Sequence, residues 1–106
     1  MQKGGQLYLA GKSDFPSDAF KNKYYFVYTL LSLKDKKLYT GLTIDLKRRL
    51  SEHYYGQVMS TRLRRPFILI HSEMFINKED ANAREKFLKS GFGRKQLKLA
   101  LKSTLG

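Results

Sequence analysis

The run Tyr24-Tyr25-Phe26-Val27-Tyr28-Thr29-Leu30-Leu31 constrains this chain more than any other stretch. Every residue in it is aromatic, β-branched or leucine, and none is charged. Such side chains favour an extended, pleated backbone. The polar Lys34-Asp35-Lys36-Lys37 that follows reads as a turn, and Leu38-Tyr39-Thr40-Gly41 as a short returning strand. A β-hairpin therefore opens the patterned part of the chain. Thr43 or Asp45 can then start a helix, because a side-chain oxygen there accepts from the first free N–H groups. Leu46 and Leu50 fall on the buried face of that helix, and Gly56 closes it.

Gln57 to Arg65 is a polar, basic loop, and Pro66 introduces a third strand from Phe67 to Phe75. Asn77 is suited to cap a helix running through Lys89, with Glu79 and Asp80 favourably placed in its first turn. Gly91 and Gly93 are expected to break the chain before a last basic helix, Arg94 to Lys102 or beyond, with Leu97 and Leu101 as its apolar stripe. The order β-β-α-β-α-α predicts an α/β (α+β) domain over residues 24–106: a three-stranded, antiparallel-type sheet flanked by helices. Residues 1–23 differ in kind. Gly4, Gly5, Gly11 and Pro16 scatter turn-formers through them, and only Leu7-Tyr8-Leu9 can pair or pack, so a flexible extension is expected.

Composition narrows the function. At 106 residues, 42% of them hydrophobic, the chain can bury one modest core. Twenty-one Lys+Arg against nine Asp+Glu leave a net charge of +12. The simplest partner for such a surface is a polyanion, because neutralising phosphates releases condensed counterions. The absence of cysteine excludes disulfides, thiolate metal sites and a cysteine nucleophile. Apolar runs such as Phe67-Ile68-Leu69-Ile70 fall far short of the roughly 20 residues a membrane helix needs. No signal peptide is read behind Met1-Gln2-Lys3-Gly4-Gly5, so a cytoplasmic location is expected.

Several short motifs recur in a fixed order. Phe26-Val27-Tyr28 precedes Tyr39-Thr40-Gly41, followed by Leu46, Arg49 and His53. Thr61-Arg62-Leu63-Arg64-Arg65-Pro66, Glu73, Ala83-Arg84-Glu85-Lys86-Phe87-Leu88-Lys89 and Gly91-Phe92-Gly93-Arg94 complete the set. Together they resemble the core of the GIY-YIG nucleases, and most closely the small single-domain type. The resemblance covers roughly Tyr24 to Leu101. It implies a Mg²⁺-dependent (or Mn²⁺-dependent) endonuclease acting on DNA phosphodiester bonds, with repair or recombination as its setting.

The resemblance also implies roles. Glu85 matches the family's metal-binding glutamate, and a hard cation on one carboxylate, completed by water and phosphate oxygens, suits phosphodiester hydrolysis. The plainer alternative is a surface glutamate paired with Lys89 one turn on. Arg49 matches the catalytic arginine, whose guanidinium grips phosphate bidentately and keeps its charge. His53, four residues later on the same helix face, matches a position that orients the nucleophile or shares a proton relay. Tyr28 and Tyr39 stand on adjacent strands, and either phenol can be the general base. Phe26 replaces the first glycine of the signature, Thr40 an isoleucine, and Leu42 a lysine that some members carry.

Non-specific contacts to the DNA backbone are assigned to Arg48, Arg62, Arg64, Arg65, Lys89, Arg94 and Lys95, with little base readout. His71 and Glu73 share one face of the third strand, with Ser72 on the other. That rules out a catalytic triad there and leaves Glu73 a structural hydrogen bond or ion pair. Two other functions stay open: a non-catalytic nucleic-acid-binding module with the same fold, and a basic domain that docks on a larger enzyme through residues 1–23.

Overall fold

The computed structural model describes residues 23–106, so the expected N-terminal extension lies, but for Lys23, outside the described residues. The elements run β1 (Tyr25–Ser32), β2 (Leu38–Thr43), α1 (Leu46–Tyr54), a 3₁₀ turn (Arg62–Arg64), β3 (Phe67–Phe75), α2 (Lys78–Lys89), α3 (Gly91–Ala100) and α4 (Lys102–Leu105). The sheet has the order β2-β1-β3 and is antiparallel throughout. The most apolar strand, β1, is thus the central one. The expected α+β architecture is the observed one, with β2 two residues longer than the sequence suggests.

Strand alternation sends the side chains of β1 to two different environments. Val27 packs with Ala81 and Leu88 of α2 and Leu97 of α3, and Tyr25, Leu42 and Phe75 close around them. This is the apolar core, and helices α2 and α3 cover that face. Tyr28, next in sequence, points to the opposite face and meets α1 through His53. A bulge between Thr29 and Leu30 in the β1–β3 pairing leaves Ile70 unmatched, since Thr29 lies opposite His71 and Leu30 opposite Leu69.

Local chemistry sets the boundaries. Asp45 caps α1, its Oδ1 accepting from the Arg48 N–H at 3.1 Å, and Gly56 follows the helix with φ +76°. Asn77 caps α2, accepting from the N–H groups of Glu79 and Asp80. The hairpin turn is held by the Ser32 hydroxyl, which accepts from the backbone N–H of Lys34 and Asp35.

The C-terminal helix departs from expectation. Gly91 and Gly93 do not break the chain; they form the first turn of α3, which starts three residues before Arg94 and ends at Ala100. The reason is Ser90. Its hydroxyl accepts from the Gly93 N–H at 3.1 Å and donates to the Phe87 carbonyl at 2.6 Å, ending one helix and starting the next. Glycine at 93 permits this tight corner, because a Cβ there would run into the Phe87 carbonyl, whereas a Cβ at Gly91 meets nothing. Gly93→Ala is therefore expected to lower stability by about 1–3 kcal/mol through overpacking. Gly91→Ala should leave it unchanged or raise it by up to about 1 kcal/mol. Urea unfolding of the two variants checks the contrast, and equal effects would contradict it.

Candidate active site

Three polar side chains form a continuous buried chain between β1 and α1. The Tyr28 hydroxyl lies 2.8 Å from His53 Nε2. His53 Nδ1 lies 2.8 Å from the Thr61 hydroxyl, which itself donates to the Val58 carbonyl at 3.4 Å. All three residues are almost fully buried. The donors run one way: with the Thr61 proton on Val58, its lone pairs accept Nδ1–H, which leaves Nε2 free to accept the phenol proton. The Arg49 guanidinium acts on Tyr28 as well, and its positive charge favours electron density on the phenol oxygen.

Burial disfavours the charged form of both rings. It pushes the Tyr28 phenol up to about 12, against a smaller opposing pull from Arg49. It takes the His53 imidazole down to about 4, with the positive charge of Arg49 acting in the same direction. At rest the pair is a neutral phenol bonded to a neutral imidazole.

Tyr39 completes the aromatic cluster, its ring centroid 5.2 Å from that of His53 and 6.4 Å from that of Tyr28. The register places Tyr28 opposite Gly41 and Tyr39 opposite Leu30, so the two tyrosines are diagonal neighbours. Gly41 has a steric role here: a Cβ at that position would sit 2.5 Å from the Tyr28 hydroxyl. The phenol lies across bare backbone.

Arg49 reaches this centre from α1, one turn before His53. Glu52 holds it, Nη1 to Oε1 at 2.9 Å, and grips Arg48 with its other oxygen at 2.6 Å. The Glu52 bond is the main reason the Arg49 pKa is raised, and Arg49 in turn holds the Glu52 carboxyl below the usual range. Glu85, on α2, bears electrostatically on Tyr28 and raises its pKa slightly. Its side chain is 22% exposed and pairs with Lys89 Nζ at 3.0 Å. The pairing anticipated for a simple surface glutamate thus exists.

Among the described residues no group of three or more His, Cys, Asp or Glu gathers as a ready-made metal cage. A lone, half-sheltered carboxylate suits a hard, oxygen-seeking ion that keeps most of its water and takes oxygens from a phosphate, as Mg²⁺ does. It does not suit zinc, which wants several nitrogen or sulfur ligands. The residues present therefore fit the expected cation.

The nucleic-acid candidates divide by what already holds them. Arg64 is bound to Asp35 at 2.7 Å and lies over the Phe67 ring. Its bond is the largest cause holding the Asp35 carboxyl far below the usual range. Arg65 donates to the carbonyls of Arg62 and Tyr54. These two arginines build the loop. Arg62, Lys95 and the exposed Lys86 and Lys98 make no side-chain bond among the described residues, while Arg94 donates only to the Lys89 carbonyl. On β3, Glu73 forms the ion pair expected of it with Arg84 at 2.9 Å, and a hydrogen bond with His71 at 2.8 Å. Burial pushes Glu73 up, but those two bonds outweigh it and keep its carboxyl below the usual range.

Residues 24–98 match the model of the GIY-YIG catalytic domain. The chain belongs to the GIY-YIG family. Its relatives include a UPF0213 protein of Haloquadratum walsbyi, 39% identical, with 78% of this chain and 93% of that protein covered. A UPF0213 protein of Staphylococcus saprophyticus is 38% identical, covering 71% and 92%. A solution NMR structure of a UPF0213 protein from Bacillus halodurans is 38% identical and aligns over 74% of this chain and 85% of that one, with a TM-score of 0.48. A GIY-YIG domain points to nuclease-type function and, generally in that family, to divalent-metal dependence.

Sequence reasoning gave Glu52 no role, although its i+3 and i+4 spacing from Arg49 and Arg48 is the signal that finds it. Thr61 and Gly41 were visible only as parts of motifs. No spacing rule links Thr61 to His53 across a loop.

The buried imidazole has a thermodynamic consequence. His53 binds its proton near pH 6.5 when unfolded and only near 4 when folded. The unfolded state therefore takes up more protons between those values, and stability falls as pH drops through that window. The shift corresponds to roughly 3 kcal/mol at full extent. Urea unfolding of wild type and His53→Gln at pH 7 and pH 4.5 should show a steeper acid loss in wild type. Parallel slopes would contradict a neutral, buried His53.

Proposed function

We propose that this protein is a divalent-cation-dependent DNA endonuclease working in repair or recombination. Tyr28, Arg49, His53 and Glu85 are the working residues, and Tyr39 shapes the cluster. The observation that carries the proposal is the buried bond between the Tyr28 hydroxyl and His53 Nε2. A phenol at about 12 is a poor base unless its own proton has somewhere to go. His53 is that place. Among the described residues Tyr39 makes no such bond, which favours Tyr28 as the general base.

In the proposed reaction a water oxygen attacks phosphorus and forms the new P–O bond. The water proton passes to the Tyr28 oxygen as the phenol proton passes to Nε2, so Tyr28 ends as it began and His53 becomes imidazolium. The scissile P–O bond breaks toward the leaving alkoxide, which takes a proton from solvent. Arg49, held by Glu52, stabilises the charge that builds on the phosphoryl oxygens. A cation on Glu85 supplies Lewis-acid polarisation of the phosphate when bound. Lys89 must release Glu85 for that, and a phosphate is the natural place for the freed ammonium.

The Lys89–Glu85 pair also supports a second reading, a nucleic-acid-binding module in which that pair persists and no cation binds. A labelled panel of single-stranded, duplex, flap and four-way-junction DNA separates the two, with Mg²⁺ and with chelator. Wild type is expected to cut only with Mg²⁺. Glu85→Ala and Arg49→Ala should lose at least about 100-fold in rate, and Tyr28→Phe roughly 100-fold or more. Binding without cutting in every lane would leave the module instead.

A further inference from the structure

Helix α1 has a second flank. Away from Arg48, Arg49 and Glu52, its Lys47, Leu50, Ser51 and Tyr54 face a cavity of about 850 Å³, closed on the other side by β3 and the 62–66 loop. That volume lies in the range of small-molecule sites, roughly 300–1,000 Å³. Its floor is apolar, made by Leu30, Leu50, Phe67 and Leu69. The rim carries Lys34, Lys47, Arg62 and Arg65, and no carboxylate lines the cavity among the described residues.

The walls are unusual for a basic surface. Tyr54 and Leu63 border the opening while 72% and 76% exposed. Tyr55 stacks edge-to-face on Tyr54, with ring centroids 4.9 Å apart. Isolated exposed apolar residues need no explanation, but several around one hollow mark a binding surface. Charge and shape together restrict the ligand. A bare polyanion has no use for the apolar floor, and a neutral apolar molecule has none for the rim. Continuous duplex keeps its bases stacked inside and offers only phosphates. An unpaired nucleotide offers both a planar apolar face and a phosphate, and base–aromatic stacking tolerates any base.

Position adds the link to the site. His53 lines this cavity and is also bonded to Tyr28, so the two sites share a wall. We propose that the cavity binds an unpaired nucleotide, with its base against Tyr54 and the Leu63–Leu69 surface and its phosphate on Arg62 and Lys47. The protein thereby favours DNA with an unpaired nucleotide beside the scissile bond over continuous duplex. This rests on the nucleic-acid reading above and names its substrate class.

Two measurements on the full chain test it, and neither needs catalysis. In the first, methyl NMR follows titration with dTMP, thymidine, inorganic phosphate and decyl phosphate. The expected result is movement of the Leu63 and Leu69 methyls, with dTMP binding at least about tenfold tighter than thymidine or phosphate. Movement by none of the probes, or tightest binding by decyl phosphate, overturns the proposal; the latter would make the cavity a site for phosphorylated lipids. In the second, anisotropy in chelator compares a duplex with the same duplex carrying one unpaired nucleotide. Wild type should prefer the latter by about tenfold. Leu63→Asp should bring the ratio near one, and Leu63→Met should keep it. Residue 63 is exposed, so both variants should fold. Equal binding of the two duplexes by wild type, or an unchanged ratio in Leu63→Asp, overturns it. If both measurements succeed while no DNA is cut in any lane, the catalytic reading alone falls.

Discussion

A phenol, an imidazole and a hydroxyl are buried together between β1 and α1, and the arrangement of the site depends on their being satisfied by one another. Each, left alone in that interior, would cost about 1–3 kcal/mol in lost hydration. Linked as Tyr28, His53, Thr61 and the Val58 carbonyl, they have partners throughout. The chain also fixes geometry. His53 can reach Tyr28 only if α1 lies across the sheet at one height and rotation, and that same placement brings Arg49, one turn earlier, to the phenol oxygen. Gly41 belongs to the constraint, since any side chain on β2 at that point would occupy the place of the Tyr28 hydroxyl.

The charges follow a similar economy. Of the seven described carboxylates, five are in ion pairs: Asp35, Asp45, Glu52, Glu73 and Glu85. The other two, Glu79 and Asp80, sit in the first turn of α2, where the helix dipole favours them. Among the described residues no acid is left to neutralise Arg62, Lys86, Lys95 or Lys98. Among the described residues the excess positive charge therefore resides in cations outside the ion pairs, Lys86 on α2 and Lys95 and Lys98 on α3 among them. Arg64, Arg65 and Arg84 show the contrary case, cations committed to loop, strand and helix packing.

Much of this was legible in the sequence because the signals are local. Pro66, Asn77 and Asp45 mark boundaries that the structure keeps, and the aromatic run gives the central strand. The Arg49–His53 spacing alone places the two on one helix face. Legibility fails where the determining partner is distant or small. Gly91 and Gly93 read as a break because their meaning depends on how close α2 comes, which no local pattern records. Arg64 reads as a free cation because Asp35, its partner, is 29 residues away. Thr61 is obscure for a related reason: a hydroxyl gains a role only when the loop after α1 folds back over His53.

Helix α1 also divides the outer face of the sheet. One flank carries Arg49, held by Glu52, beside Tyr28, and the other carries Lys47, Leu50 and Tyr54 toward an apolar hollow. His53 borders both. A ligand seated in the hollow would lie against the residue bonded to the Tyr28 hydroxyl, and a phosphate brought near would favour the protonated imidazole that burial and Arg49 oppose. Under the proposed mechanism, the anionic substrate therefore strengthens His53 as a proton acceptor only once it is bound. Without a phosphate the relay stays neutral, and water near Tyr28 meets a phenol that keeps its proton.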